Sequence, residues 1–103
     1  MRAPTVELLY FEGCPNVEKT RALVREVATD EGITPDLTLV EVTAEDVGQL
    51  RFLGSPSVRV NGHDVEPGAD GRDTFMFACR VYRTPLGLSG QPAREWVRAA
   101  LTA

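Results

Sequence analysis

Cys14 is the residue of this chain best placed to do chemistry. It stands in Gly13-Cys14-Pro15-Asn16, between an apolar run and a helical pattern. The reactive form of a cysteine is the thiolate. A helix start favours that form over a free thiol of pKa about 8.5, because its N–H groups lack partners and the helix dipole is positive there. Gly13 permits a sharp turn and Pro15 pre-sets helical backbone, so the sulfur is expected at the strand tip, at or next to the helix N-cap. Read from position alone, a buried, inert cysteine at a strand end is the alternative. Cys79 lies in Phe77-Ala78-Cys79-Arg80-Val81-Tyr82, as a small core hydrophobe or as a redox partner, with Arg80 and Arg83 either supporting a thiolate or solvated. His63 is the single histidine and is expected at the surface after a turn. Together with the two cysteines it would lack the fourth ligand and the short paired spacing of a structural zinc site, so no metal is assigned.

The elements that must position these residues follow from periodicity. Residues 6–11, Val-Glu-Leu-Leu-Tyr-Phe, end in four consecutive apolar positions, the pattern of a strand buried on both faces. Residues 15–31 predict a helix with Val17, Thr20, Val24, Val27 and Ala28 on one face and Gly32 as its stop. A strand at 37–42 makes this a β-α-β unit with a right-handed parallel crossover. Thr43, followed three residues later by Asp46, predicts a short helix through about Phe52, interrupted by Gly54-Ser55-Pro56. Residues 57–60 and 63–65 read as strands joined by Asn61-Gly62, a two-residue hairpin signal. Residues 66–73 are loop, 75–83 are ambiguous between helix and strand, and 85–90 are loop again. Residues 92–101 predict a helix with Ala93, Trp96, Val97, Ala100 and Leu101 inward.

At 103 residues the chain is one domain, and with 43% hydrophobic and 25% charged residues it is of ordinary globular composition. A net charge of −4 without a basic stripe argues against nucleic acid as partner. No run is long and apolar enough for a membrane span, and the first residues lack the apolar stretch of a signal peptide, which makes the cytoplasm the expected location.

The order β-α-β-α-β-β-α, the strand ending at Phe11, Cys14-Pro15 opening a helix, Ser55-Pro56 before a strand and the Asn61-Gly62 hairpin together resemble the thioredoxin-like superfamily. The likeness is particularly to small bacterial glutaredoxin-like proteins. It covers the chain except for an insertion at about 66–90. It implies an α/β fold with a central mixed sheet flanked by helices, a cis-proline at Pro56 facing Cys14, and a substrate surface formed by Ser55, Pro56, Pro15 and Asn16. In it Ser55 would pair with an extended substrate by strand addition. The chain departs from the pattern at Val17, where a resolving cysteine would stand. Cys14 then acts as a monothiol, with an external thiol such as glutathione, or with Cys79 as the resolving catalytic partner. The resulting expectation is a thiol-disulfide oxidoreductase acting on protein or small-molecule thiols and disulfides, with no resident cofactor. A two-thiol site for a soft ion or organomercurial, and a non-catalytic adaptor, are the competing readings. Phe75, Met76, Phe77, Val81 and Tyr82 are expected to form an apolar cluster that caps the Cys14 site in a monomer or buries against a second subunit.

Overall fold

The computed structural model describes residues 3–103. Its centre is β1 (Thr5–Tyr10), which lies between β2 (Asp36–Glu41), paired parallel, and β3 (Ser57–Val60), paired antiparallel. The two-residue β4 (His63–Asp64) completes a mixed four-stranded sheet of order β2-β1-β3-β4. Alternation along β1 sends Val6 and Leu8 to one face and Leu9 to the other, and all three are buried. The first face packs on α1 (Val17–Asp30) and α2 (Arg94–Thr102), and the second on a smaller cluster of Val42 and Phe52. The strand 6–11 is therefore covered on both sides, as its composition predicts.

Helix α1 buries Val17, Thr20, Val24, Val27 and Ala28, the stripe read from the sequence. It starts later than expected. Asn16 is the N-cap, and its carbonyl accepts the first helical bond from Thr20 N–H at 3.0 Å. Pro15 and Cys14 therefore precede the helix, and Cys14 lies two residues before the cap rather than at or next to it. The other end stops at Gly32, whose φ of +67° lets Ile33 N–H reach back to Ala28 O and Gly32 N–H to Thr29 O.

The helix expected over 44–52 is reduced to one 3-10 turn, Ala44–Asp46, followed by single hydrogen-bonded turns that end with Phe52 N–H on Val47 O. Gly48 weakens helix propagation, and Arg51, with a φ of +52°, stops it. The Asn61-Gly62 turn has positive φ at both positions, +52° and +86°, as a two-residue hairpin of matching twist requires.

The segment 66–90 is neither helix nor simple loop. A 3-10 turn at Ala69–Gly71 leads into an irregular strap at 76–80 with one bridge, at Cys79. A hairpin of β5 (Tyr82–Thr84) and β6 (Gly87–Ser89) follows it. Within one chain the expected apolar cluster does not close: Tyr82 is buried, but Met76, Phe77 and Val81 stay exposed, as do Leu86 and Leu88 on the hairpin. The strap is held by backbone hydrogen bonds and by the Arg80 side chain, so its apolar side chains are not all drawn inward. Helix α2 then crosses α1, with Arg94 bonded to Glu26 and Asp30, and Arg98 to Glu31. Among the described residues no helix is long and apolar enough to cross a membrane.

Candidate functional site

Phe11 leaves the end of β1 and the chain reverses at once. Cys14 N–H closes the turn on Phe11 O at 3.3 Å, with Gly13 at a φ of +87° in the third position, where turns favour glycine. The Cys14 side chain is half-buried and packs against the edge of the core formed with α1, while Pro15 is exposed. Asn16 is half-buried and lies over Gly90, where an added Cβ would overlap its amide. Its side chain thus braces the end of the 66–90 segment against the start of α1.

Ser55 faces this turn. It is fully buried, and its Oγ accepts a hydrogen bond from Phe11 N–H at 3.3 Å. The Ser55–Pro56 bond is cis. The backbone edge of Ser55, expected to lie open to a substrate, is already occupied. Ser55 N–H donates to Ala78 O at 2.9 Å, and Arg80 N–H donates to Ser55 O at 2.8 Å. These two bonds make a parallel bridge in which Cys79 is the residue opposite Ser55. The strap therefore carries the second cysteine to the same loop that hydrogen-bonds the Cys14 turn. Both thiols are free, and Cys79 is exposed, which removes its reading as a core hydrophobe.

The strap is fastened on both sides of Cys79. Upstream, Met76 N–H bonds Phe52 O at 2.9 Å, and the Phe77 ring lies 5.1 Å from that of Phe11. Downstream, the Arg80 guanidinium is buried against Asp64. Nη1 bonds Asp64 Oδ2 at 2.7 Å and Ser57 Oγ at 2.9 Å, while Nη2 bonds Asp64 Oδ1 at 3.1 Å and Glu66 Oε1 at 2.9 Å. Burial works against its charge, but these carboxylates outweigh it and hold Arg80 protonated beyond the ordinary arginine range. Arg80 is thus neither solvated nor available to a thiolate.

Tyr82 lies under the same guanidinium, 4.3 Å from ring centroid to Cζ, and its hydroxyl donates to Pro56 O at 2.5 Å. Burial pushes its phenol well above the usual tyrosine range. Gly54 completes the contact. At a φ of +113°, a Cβ there would stand 2.9 Å from Arg80 Cβ and 3.0 Å from Ala78 O, so the strap approaches this closely only over a glycine.

No protein family, curated protein or solved structure matches this chain. Among the described residues no three His, Cys, Asp or Glu side chains form a metal-binding group. His63 is exposed and pairs with Asp70 at 3.1 Å. The Asp70 carboxyl is held below its ordinary range, first by the Asp64 N–H it accepts and then by His63.

Asp64 and Glu66 have no role assigned from the sequence, while Arg80, expected to support a thiolate or be solvated, is instead their buried partner, and Gly54, expected only to interrupt a helix, lies beneath the strap. The one sequence signal of the ion-pair network is an arginine inside an apolar run together with two acids on and just after the returning strand.

Proposed function

We propose that this chain is a thiol-based redox protein of thioredoxin-like topology, in which Cys14 exchanges with a disulfide and Cys79 resolves the product. The observation that carries the reading is the Ser55–Cys79 bridge, which brings the second cysteine to the loop touching the Cys14 turn. The sheet order β2-β1-β3-β4, parallel at β1–β2 and antiparallel elsewhere, supports the topology, with the winding at 44–52 in place of a middle helix. Val17 occupies the first turn of α1 where a resolving cysteine would stand. The strap supplies that cysteine from the far side.

The Cys14 thiolate attacks one sulfur of R–S–S–R, forming a bond to it and expelling one R–S⁻, which takes up the proton the thiol gave up. The Cys79 thiolate then attacks Cys14 Sγ and expels the second R–S⁻. The protein dithiol loses two electrons as the disulfide becomes two thiols, and two molecules of an external thiol, oxidised to their own disulfide, return the protein to its starting state.

Mass analysis after oxidation by a small disulfide tests this. The wild type should end as an intramolecular Cys14–Cys79 disulfide, and Cys79→Ser should stop as a mixed disulfide on Cys14. A wild type that stops at the mixed disulfide, or adducts that form on Cys79 alone, would overturn the assignment.

A further inference from the structure

We propose that a cleft beside the β3–β4 hairpin binds a compact tetrahedral oxyanion, of the size and charge of phosphate, on the guanidinium groups of Arg51, Arg59 and Arg72. The cleft has a volume of about 100 Å³, and these three arginines line it together with Phe75, Asp64 and Asp70. That volume is about three waters' share of liquid, which is room for one such anion and not for a nucleotide. Neither cysteine lines the cleft, so the proposal stands apart from the thiol-exchange reading.

The carboxylates in its wall are already engaged. Both oxygens of Asp64 bond Arg80. Asp70 accepts Asp64 N–H on Oδ1 and faces His63 with Oδ2. Glu66, just behind, is shared by Arg72 and Arg80. Four guanidinium groups thus stand against three carboxylates, a local positive excess in a chain of net charge −4. Among the described residues Arg51 and Arg59 form no ion pair. Neutral groups hold them instead. Arg59 Nη2 donates to Leu50 O at 2.6 Å and to Arg51 O at 3.1 Å. Arg51 Nη2 donates to Arg72 O at 3.2 Å, and its Cζ lies 4.8 Å from the centre of the Phe75 ring. These contacts fix both forks without neutralising them. Arg59 Nε and Nη1 are neither buried nor hydrogen-bonded, so donors remain for the oxygens of an anion. The backbone gives an independent sign. Arg51 holds a φ of +52°, a conformation that glycine adopts without penalty and a long side chain does not. Such strain clusters where a side chain serves a ligand, and here it falls on the arginine held over Phe75 with no acid beside it.

The test is titration of inorganic phosphate into the reduced wild-type chain at constant ionic strength, set with sodium chloride, while the amide NMR signals of Gly62 and Asp70 in the cleft wall are followed. Saturable shifts are expected at millimolar phosphate. Arg51→Gln should weaken binding by about tenfold or more, the loss of one charge-assisted hydrogen bond. Arg51→Gly relieves the positive φ and should weaken it equally, which separates loss of the guanidinium from any effect on the fold. Arg94→Gln removes an exposed charge on α2 instead and should leave the affinity within about twofold. Shifts that grow without saturating, wild-type affinity in Arg51→Gly, or equal weakening by Arg51→Gln and Arg94→Gln would each overturn the proposal.

Discussion

Replacing Arg80 by methionine keeps a long side chain and removes the charge that fastens the strap. Arg80 and Asp64 each have only 3% of the side chain exposed, so solvent does not replace the lost bond. Glu66 retains Arg72 as a partner. Asp64 still accepts Glu66 N–H at 2.9 Å but faces no cation in the strap. Breaking one side of a buried pair costs about 3–5 kcal/mol. That is a large part of the roughly 5–15 kcal/mol that holds a domain together. In urea, with a slope of about 2 kcal/mol/M, the midpoint should fall by about 2 M. Trp96 fluorescence reports the transition, since its ring lies 6.4 Å from that of Tyr82. The double variant Arg80→Met with Asp64→Leu should recover about half of the loss or more, because a buried ion pair replaced by apolar groups is often neutral. A loss below about 1 kcal/mol in the single variant, the scale of an exposed pair, would refute the claim that this network anchors the strap.

Two further predictions concern the same contact. Tyr82 has its folded-state pKa raised by burial, so its contribution is complete below the ordinary tyrosine value of about 10 and is lost as pH rises beyond it. Between pH 10 and 11 the wild type should therefore lose up to about 1.4 kcal/mol more stability than Tyr82→Phe, and parallel pH profiles in urea would contradict the burial argument. Gly54→Ala meets both a φ of +113° and the Arg80 and Ala78 atoms, and should cost about 1–3 kcal/mol, with faster amide exchange at Arg80. Gly48→Ala, with nothing within 4 Å of the added Cβ and an ordinary φ, is the control, and a melting temperature lowered equally by both variants would remove the close-approach argument.

Local patterns were legible because they are local. The buried stripe of α1, the two-faced burial of β1 and the Asn61-Gly62 hairpin each follow from residues within a few positions of one another. The winding at 44–52 shows the weakness of that kind of evidence, since Thr43 and Asp46 signal a helix start but cannot sustain one past Gly48 and Arg51. The strap lay beyond this reach. Its defining pair, Ser55 and Cys79, is 24 residues apart, and its apolar run has no period that distinguishes a strand from a helix. Arg80 reads as a solvated cation or a partner for a thiolate until Asp64 and Glu66 are brought beside it by the β3–β4 hairpin. The candidate site was thus half visible. Cys14 and the Ser55-Pro56 loop could be named in advance, whereas what covers Ser55 required the tertiary contacts.

The bridge at Ser55 also sets a reaction order. Cys79 is tethered on both sides, so its local concentration at this loop is fixed by chain geometry. For short tethers that is about millimolar or more. Attack of Cys79 on a mixed disulfide held at Cys14, the resolving step proposed above, is therefore unimolecular. Its rate does not change when the protein is diluted, and a free thiol in solution competes with it only on reaching a comparable concentration.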